Sequence, residues 1–215
     1  MRYKAFLFDL DGVLVDTARY HYLAWKQLAD ELGIPFDETR NEAFKGVSRI
    51  RCMELLAQWG GLCVSDSEMK ALADRKNTWY VQMLSKLDSR ALLPGAGHML
   101  DRAADWGVKC AICSASKNTP LIIEKLGISE VFSCVIDGNI TSKAKPDPEV
   151  FLLAVSGLGV NKNECVIFED AQAGAEAGKS AGIFVVGVGI KENIPSADMH
   201  IPDLAHLDVG ELLAL

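Results

Sequence analysis

Apolar residues recur with two different periods along this chain, and the change from one to the other divides it. Four short runs are apolar almost throughout: KAFLF from Lys4, VKCAIC from Val108, CVIFE from Cys165 and FVVGV from Phe184. A strand with one wet face alternates, so unbroken runs are what parallel strands covered on both faces require. Helical patterns lie between them, over 99–106 before the second run, 121–126 after it, 149–158 before the third, and 171–181 between the third and fourth. This alternation predicts an α/β fold with a doubly wound, mainly parallel sheet.

From about 15 to 90 the alternation stops. Ala18, Tyr22, Trp25, Leu28, Ala29 and Leu32 recur at helical spacing, further helical patterns cover 49–59 and 66–87, and no convincing strand lies between them. The organisation expected is an α/β core from 1–14 and 91–215, carrying an all-helical insertion over 15–90. The LPG at 93–95 reads as the turn back into the core.

At 215 residues the chain is long enough for this two-part arrangement. A net charge of −7 disfavours a nucleic acid or anionic membrane as partner, since either demands a basic surface. No stretch approaches a membrane span, and MRYKAFLFDLDG meets acids too early for a secretion signal, so a cytoplasmic protein is expected. Six cysteines are too sparse for a disulfide scaffold. Cys110 and Cys113 form a CxxC, but on a strand residues three apart face opposite ways and no second CxxC completes a zinc site, which favours buried structural thiols. Nothing patterned suggests a dimer interface, and a monomer is expected.

The first apolar run is followed by Asp9, Asp11 and Gly12. These acids belong at the carboxyl end of the first strand, where open α/β sheets bind ligands. Two carboxylates about 4 Å apart repel by roughly 4 kcal/mol at a surface-like dielectric, so the pair needs a cation or a shared proton. Glu169 and Asp170 close the third run in the same way. Taken singly such acids are turn formers or caps; two strand-end pairs of oxygen donors suit Mg²⁺ rather than zinc. Asp9 is then the candidate nucleophile towards phosphorus, and Asp11 the candidate acid and base for the leaving and entering oxygens. A GKS at 178–180 mimics a phosphate-binding loop after a strand. Only three residues separate Gly174 from Gly178, however, and small residues four apart indicate helix packing, which disfavours a nucleotide hydrolase.

FDLDGVLVDT resembles the first signature of the haloacid dehalogenase superfamily of phosphotransferases, DxDGxxxD/T after the first strand. The later signatures follow in order. Ser114 corresponds to the phosphate-binding Ser or Thr, Lys145 in AKPDP to the charge-neutralising lysine, and Glu169 with Asp170 to the acidic metal pair. The resemblance implies a Rossmann-like core, one Mg²⁺ held by Asp9, Asp11, Glu169 and Asp170, and an aspartyl-phosphate intermediate. Thr119–Pro120 and Asp147–Pro148 read independently as helix starts, beside SASKN and Lys145 respectively.

Within the superfamily the resemblance extends over essentially the full length to the members that interconvert β-glucose 1-phosphate and glucose 6-phosphate through a bisphosphate. It is carried by DTARYHYLAW at 16–25, KGVSR at 45–49, DRKN at 74–77, SASKN at 114–118 and EDAQAG at 169–174; Ala171 departs from it, standing where similar chains often carry serine. It implies hexose phosphates as substrates and a helical lid that excludes water from the phosphoenzyme. Lys45, Gly46, Val47, Ser48 and Lys76 would line the sugar. Arg49, with its planar fork, would grip the non-reacting phosphate, and Ala115, Ser116, Lys117 and Asn118 would contribute from the core. Thr17 and His21 would link the lid to the placement of Asp11, although spacing alone makes His21 a packed core histidine. A sugar-phosphate phosphatase of the same superfamily is the alternative; a phospho-receiver module would need neither the helical insertion nor Arg49.

Overall fold

A computed structural model describes residues 2–44 and 47–214. Close packing divides the chain into two compact units, residues 1–16 with 88–215, and residues 17–87.

The first unit is built on strands β1 (Ala5–Phe8), β2 (Lys109–Cys113), β3 (Phe132–Ile136), β4 (Cys165–Glu169), β5 (Phe184–Val188) and β6 (Met199–Ile201). Among the described residues they form one sheet in the order β3-β2-β1-β4-β5-β6, parallel at every pairing. The four strands read from sequence are the buried centre, where every residue of β1 and β4 is inaccessible and the apolar run is therefore unbroken. The two strands not read lie at the edges. β3 is FSCVI with Ser133 exposed, and β6 has three residues, so neither has the long apolar signal of a central strand.

The 149–158 pattern is a helix with those limits, and the others lie within a few residues of their expected positions. Phe6, Phe8 and Phe168 pack at centroid distances of 5.4 and 4.8 Å, locking β1 to β4. The GKS segment lies within the helix Gln172–Ala181: a Cβ on Gly178 would come within 2.6 Å of Val185 and 2.8 Å of Ile167, so glycine lets this helix lie close on the sheet. Cys110 and Cys113 are buried free thiols, and burial raises the Cys110 pKa to about 12.

The second unit contains α1 (Ala18–Glu31), α2 (Glu38–Glu42), α3 (Arg49–Trp59) and α4 (Asp66–Leu84), with no strand among its described residues. Its core gathers Trp25, Leu28, Phe36, Phe44, Met53 and Leu56. Ser65 and Glu68 form a reciprocal cap at the start of α4. Five-residue α2 is too short to show a period and is absent from the sequence reading. No helix among the described residues is long and apolar enough to cross a membrane.

Candidate active site

Two clusters of functional side chains stand out, one in each unit. In the α/β unit the register of the central strands does the positioning. Phe8 lies opposite Phe168, so the next residues, Asp9 and Glu169, emerge side by side at the carboxyl edge, and the Asp9 N–H donates to the Phe168 carbonyl at 2.9 Å. Carboxylate oxygens of Asp9, Glu169 and Asp170 lie within 4.8 Å of one another. Between them stands Lys145, whose ammonium donates to Asp9 Oδ1 at 2.5 Å, Glu169 Oε2 at 2.7 Å and the Cys113 carbonyl at 3.0 Å. All three of its N–H bonds are thus directed, and its side chain is 3% exposed.

Electrostatics follow from that geometry. Burial alone would favour a neutral lysine, but the Asp9 and Glu169 carboxylates outweigh it and raise the Lys145 pKa. Burial, with Asp9 and Asp170 as like charges, pushes Glu169 up to about 8 against the opposing pull of Lys145. Three carboxyl groups gathered around a single ammonium make a site of oxygen donors, which fits a hard divalent cation. These are three of the four residues expected from sequence to hold a metal; the fourth, Asp11, lies two residues after Asp9. After Asp9 the chain curls back, with Gly12 N–H on the Val15 carbonyl at 2.8 Å and Asp11 bridged to Val15.

Two glycines admit the carboxylates. A Cβ on Gly12, whose φ is +86°, would fall 2.0 Å from Asp170 Oδ2, and one on Gly174 would fall 2.0 Å from Glu169 Cδ. Gly174 has no positive φ and lies in a helix, so Gly174→Ala isolates the contact from backbone strain. It is expected to displace Glu169 and weaken divalent-cation affinity by about 10- to 100-fold with folding retained. A Mg²⁺ titration indistinguishable from that of the unaltered protein would contradict this.

Ser114, 2% exposed, follows β2, its N–H held by the Ile136 carbonyl and its hydroxyl accepting from the Ser116 N–H at 3.1 Å. Ser116 in turn accepts from Asn118 N–H at 3.2 Å, and α6 starts at Thr119 with Asn118 as its cap, one residue earlier than read. Sequence reasoning did not find the brace beneath this loop. Asn139 donates to the Lys117 carbonyl at 3.1 Å and is itself held by buried Asp137, while Gly138 approaches so closely that a Cβ would meet the Ala115 carbonyl at 2.4 Å. A DGN turn carries no sign of its distant partner. On the far side of that loop Glu149 accepts from both Ser142 and Lys143 backbone N–H groups, fixing the approach to Lys145. The Lys145–Pro146 peptide is cis.

In the helical unit, Lys76 is 1% exposed, with its ammonium 4.8 Å from the ring centres of both Trp25 and Tyr80. It lies 2.8 Å from His21 Nδ1. Burial first, then the charges of Lys76 and Arg49, hold the His21 pKa well below the usual imidazole range. A neutral ring therefore accepts the Lys76 proton at Nδ1 and keeps its own on Nε2. His21 stacks on Tyr80 at 4.0 Å, and the Tyr80 hydroxyl donates to Thr17 Oγ1 at 3.1 Å, joining Thr17, Tyr80, His21 and Lys76 in one chain of contacts. Tyr80 was not foreseen; in sequence it is one aromatic on a long helix. Arg49 opens α3, capped by Ser48, and pairs with Asp74 at 3.4 Å. Val47 packs against the helical core. Lys45 and Gly46 lie outside the described residues.

A parallel sheet that gathers an aspartate, a buried lysine and an acidic pair at its carboxyl edge is suited to transfer of a phosphoryl group to the aspartate. Residues 3–182 match the family model described as haloacid dehalogenase-like hydrolase, and the chain belongs to that family. Among its relatives is the β-phosphoglucomutase of Bacillus subtilis, 42% identical over 98% of this chain and 93% of that one. A fructose-1-phosphate phosphatase of Escherichia coli is 30% identical over 87% of this chain and 97% of that one. The crystal structure of a β-phosphoglucomutase from Clostridium difficile superposes with a TM-score of 0.95 at 37% identity, covering 99% of this chain and 96% of that one.

Proposed function

We propose that the chain interconverts β-D-glucose 1-phosphate and glucose 6-phosphate through an aspartyl-phosphate enzyme and glucose 1,6-bisphosphate. The observation that carries the reading is the 42% identity to a β-phosphoglucomutase across nearly the whole chain. That similarity spans the helical unit as well as the α/β unit.

Asp9 attacks phosphorus through a carboxylate oxygen, the bond to the leaving sugar oxygen breaks, and Asp11 gives that oxygen a proton. In the return step the acceptor hydroxyl gives its proton to Asp11 as its oxygen takes the phosphoryl group from Asp9. Lys145 holds Asp9 in position and offsets the charge gathering around the transferred group. Ser114 and the Ala115–Asn118 loop take the phosphate oxygens with hydroxyl and backbone donors. Asp9, Glu169 and Asp170 would hold Mg²⁺, with Asp11 nearby in the chain; bound there, the ion neutralises the carboxylates and polarises the phosphoryl oxygens. In the helical unit, Arg49 grips the non-reacting phosphate with Val47 and Ser48 beside the sugar, and Lys76, buried against Trp25, Tyr80 and His21, supports that side from behind through the Thr17–Tyr80–His21–Lys76 contacts.

An anomer-specific coupled assay, with and without bisphosphate and Mg²⁺, tests the reading. Glucose 6-phosphate should form from the β-anomer only when Mg²⁺ is present and faster with bisphosphate. Phosphate release without isomerisation would favour the phosphatase reading, which the similarity to a sugar-phosphate phosphatase keeps in view. Arg49→Ala is expected to cut mutase turnover by about ten- to hundredfold, the worth of a charged phosphate contact, and to spare phosphorylation by acetyl phosphate, which has no second phosphate. Equal losses in both would remove Arg49 from the grip.

A further inference from the structure

Helix α3 begins with Arg49, has Arg51 in the same turn and carries no acid there. That is the wrong sign for the positive end of a helix, which favours carboxylates. Arg51 is answered by Glu54 on the same helix at 2.6 Å, and Arg49 by Asp74 on α4, with Oδ1 at 3.4 Å from the guanidinium.

We propose that Asp74 is the resting counter-ion of Arg49 and competes with the non-reacting phosphate of the substrate, thereby setting how tightly that phosphate is held. The inference rests on the reading of Arg49 as a phosphate grip. Its support is geometric. The pair is long and single-point, whereas charge-assisted bonds to guanidinium close to about 2.7–2.9 Å and come in parallel pairs with phosphate. Asp74 is 59% exposed on its side chain and free to turn into water, while Arg49, at 23%, is held close to the protein. An incoming phosphate therefore replaces a weak, partly hydrated contact with a strong one, and the affinity observed is the difference between the two. Asp74 here is a positioning residue, since it acts through Arg49.

Calorimetric titration with glucose 6-phosphate in Mg²⁺ tests this on the full chain and four variants: D74N, D74E, R49A and R49A/D74N. D74N should bind about three-fold more tightly than the unaltered protein, the size expected of an exposed pair, and D74E should match the unaltered protein. In the R49A background D74N should change nothing, because the competitor no longer has a target. Unchanged or weaker binding by D74N would overturn the inference, as would an equal gain with and without Arg49, which would mark a general charge effect. Absent mutase turnover with this coupling intact would overturn the mutase reading alone; normal turnover with the coupling gone would overturn the inference alone.

Discussion

Lys145→Met is expected to lower phosphoenzyme formation by about 10²–10³-fold, comparable to losing a preorganised electrostatic donor in other active sites. The reason lies in how the ammonium is held. Its three N–H bonds go to Asp9, Glu169 and the Cys113 carbonyl, and the side chain is almost sealed from water. Methionine keeps an unbranched apolar stem and removes the charge that lies 5.2 Å from the Phe151 ring centre, separating electrostatics from packing. Asp9 then faces Glu169 with no cation between them, at an orientation no longer fixed by a hydrogen bond. Breaking a buried pair by removing one partner costs about 3–5 kcal/mol, so the thermal midpoint in metal-free buffer should fall. Added Mg²⁺ should recover more of that midpoint in the variant than in the unaltered protein, because a divalent cation at the three carboxylates relieves repulsion that lysine no longer relieves. Equal stability of the two proteins without metal, together with unaltered phosphorylation by acetyl phosphate, would show that Lys145 is dispensable to the site.

How much of this was legible in the sequence depended on whether a residue's partner was local. Asp9 and Asp11 announce themselves because two acids end an apolar run, and Glu169 with Asp170 repeat the pattern; the sheet needs only its register to bring Asp9 and Glu169 together. The central strands are readable because both faces are covered, while β3 and β6 are half exposed or short and leave no such trace. Lys145 is readable only through family resemblance, since by composition it is one lysine in a polar loop. The departures are long-range. The turn at Gly12, with its positive φ, is a backbone event that two evenly spaced acids do not disclose. Asp74 meets Arg49 across 25 residues, and Asn139 meets Lys117 across 22, through packing that no single helix or turn encodes. Tyr80 gains its place under His21 only once α1 and α4 lie side by side.

Asp9→Asn should abolish the aspartyl phosphate, with turnover falling by about 10⁶-fold, the order seen when a nucleophile is removed from a covalent mechanism. A carboxamide has nearly the shape of the carboxylate, and its oxygen can still accept from Lys145, but it lacks the charge and the nucleophilic oxygen needed to form a bond to phosphorus. The same change also removes one of three clustered carboxyl groups, so cation binding should weaken, and the assay belongs at saturating Mg²⁺ to keep the two effects apart. Stability supplies the contrast with Lys145. Removing this acid relieves repulsion on Glu169 but also takes one charged partner from Lys145, which keeps Glu169, so the Asp9→Asn change should lower the thermal midpoint less than Lys145→Met does. Acid-quenched labelling with acetyl phosphate followed by peptide mapping reads the chemistry directly. Label retained by the Asp9→Asn variant would place the covalent phosphate on another residue, and the aspartyl-phosphate mechanism drawn through Asp9 would fall with it.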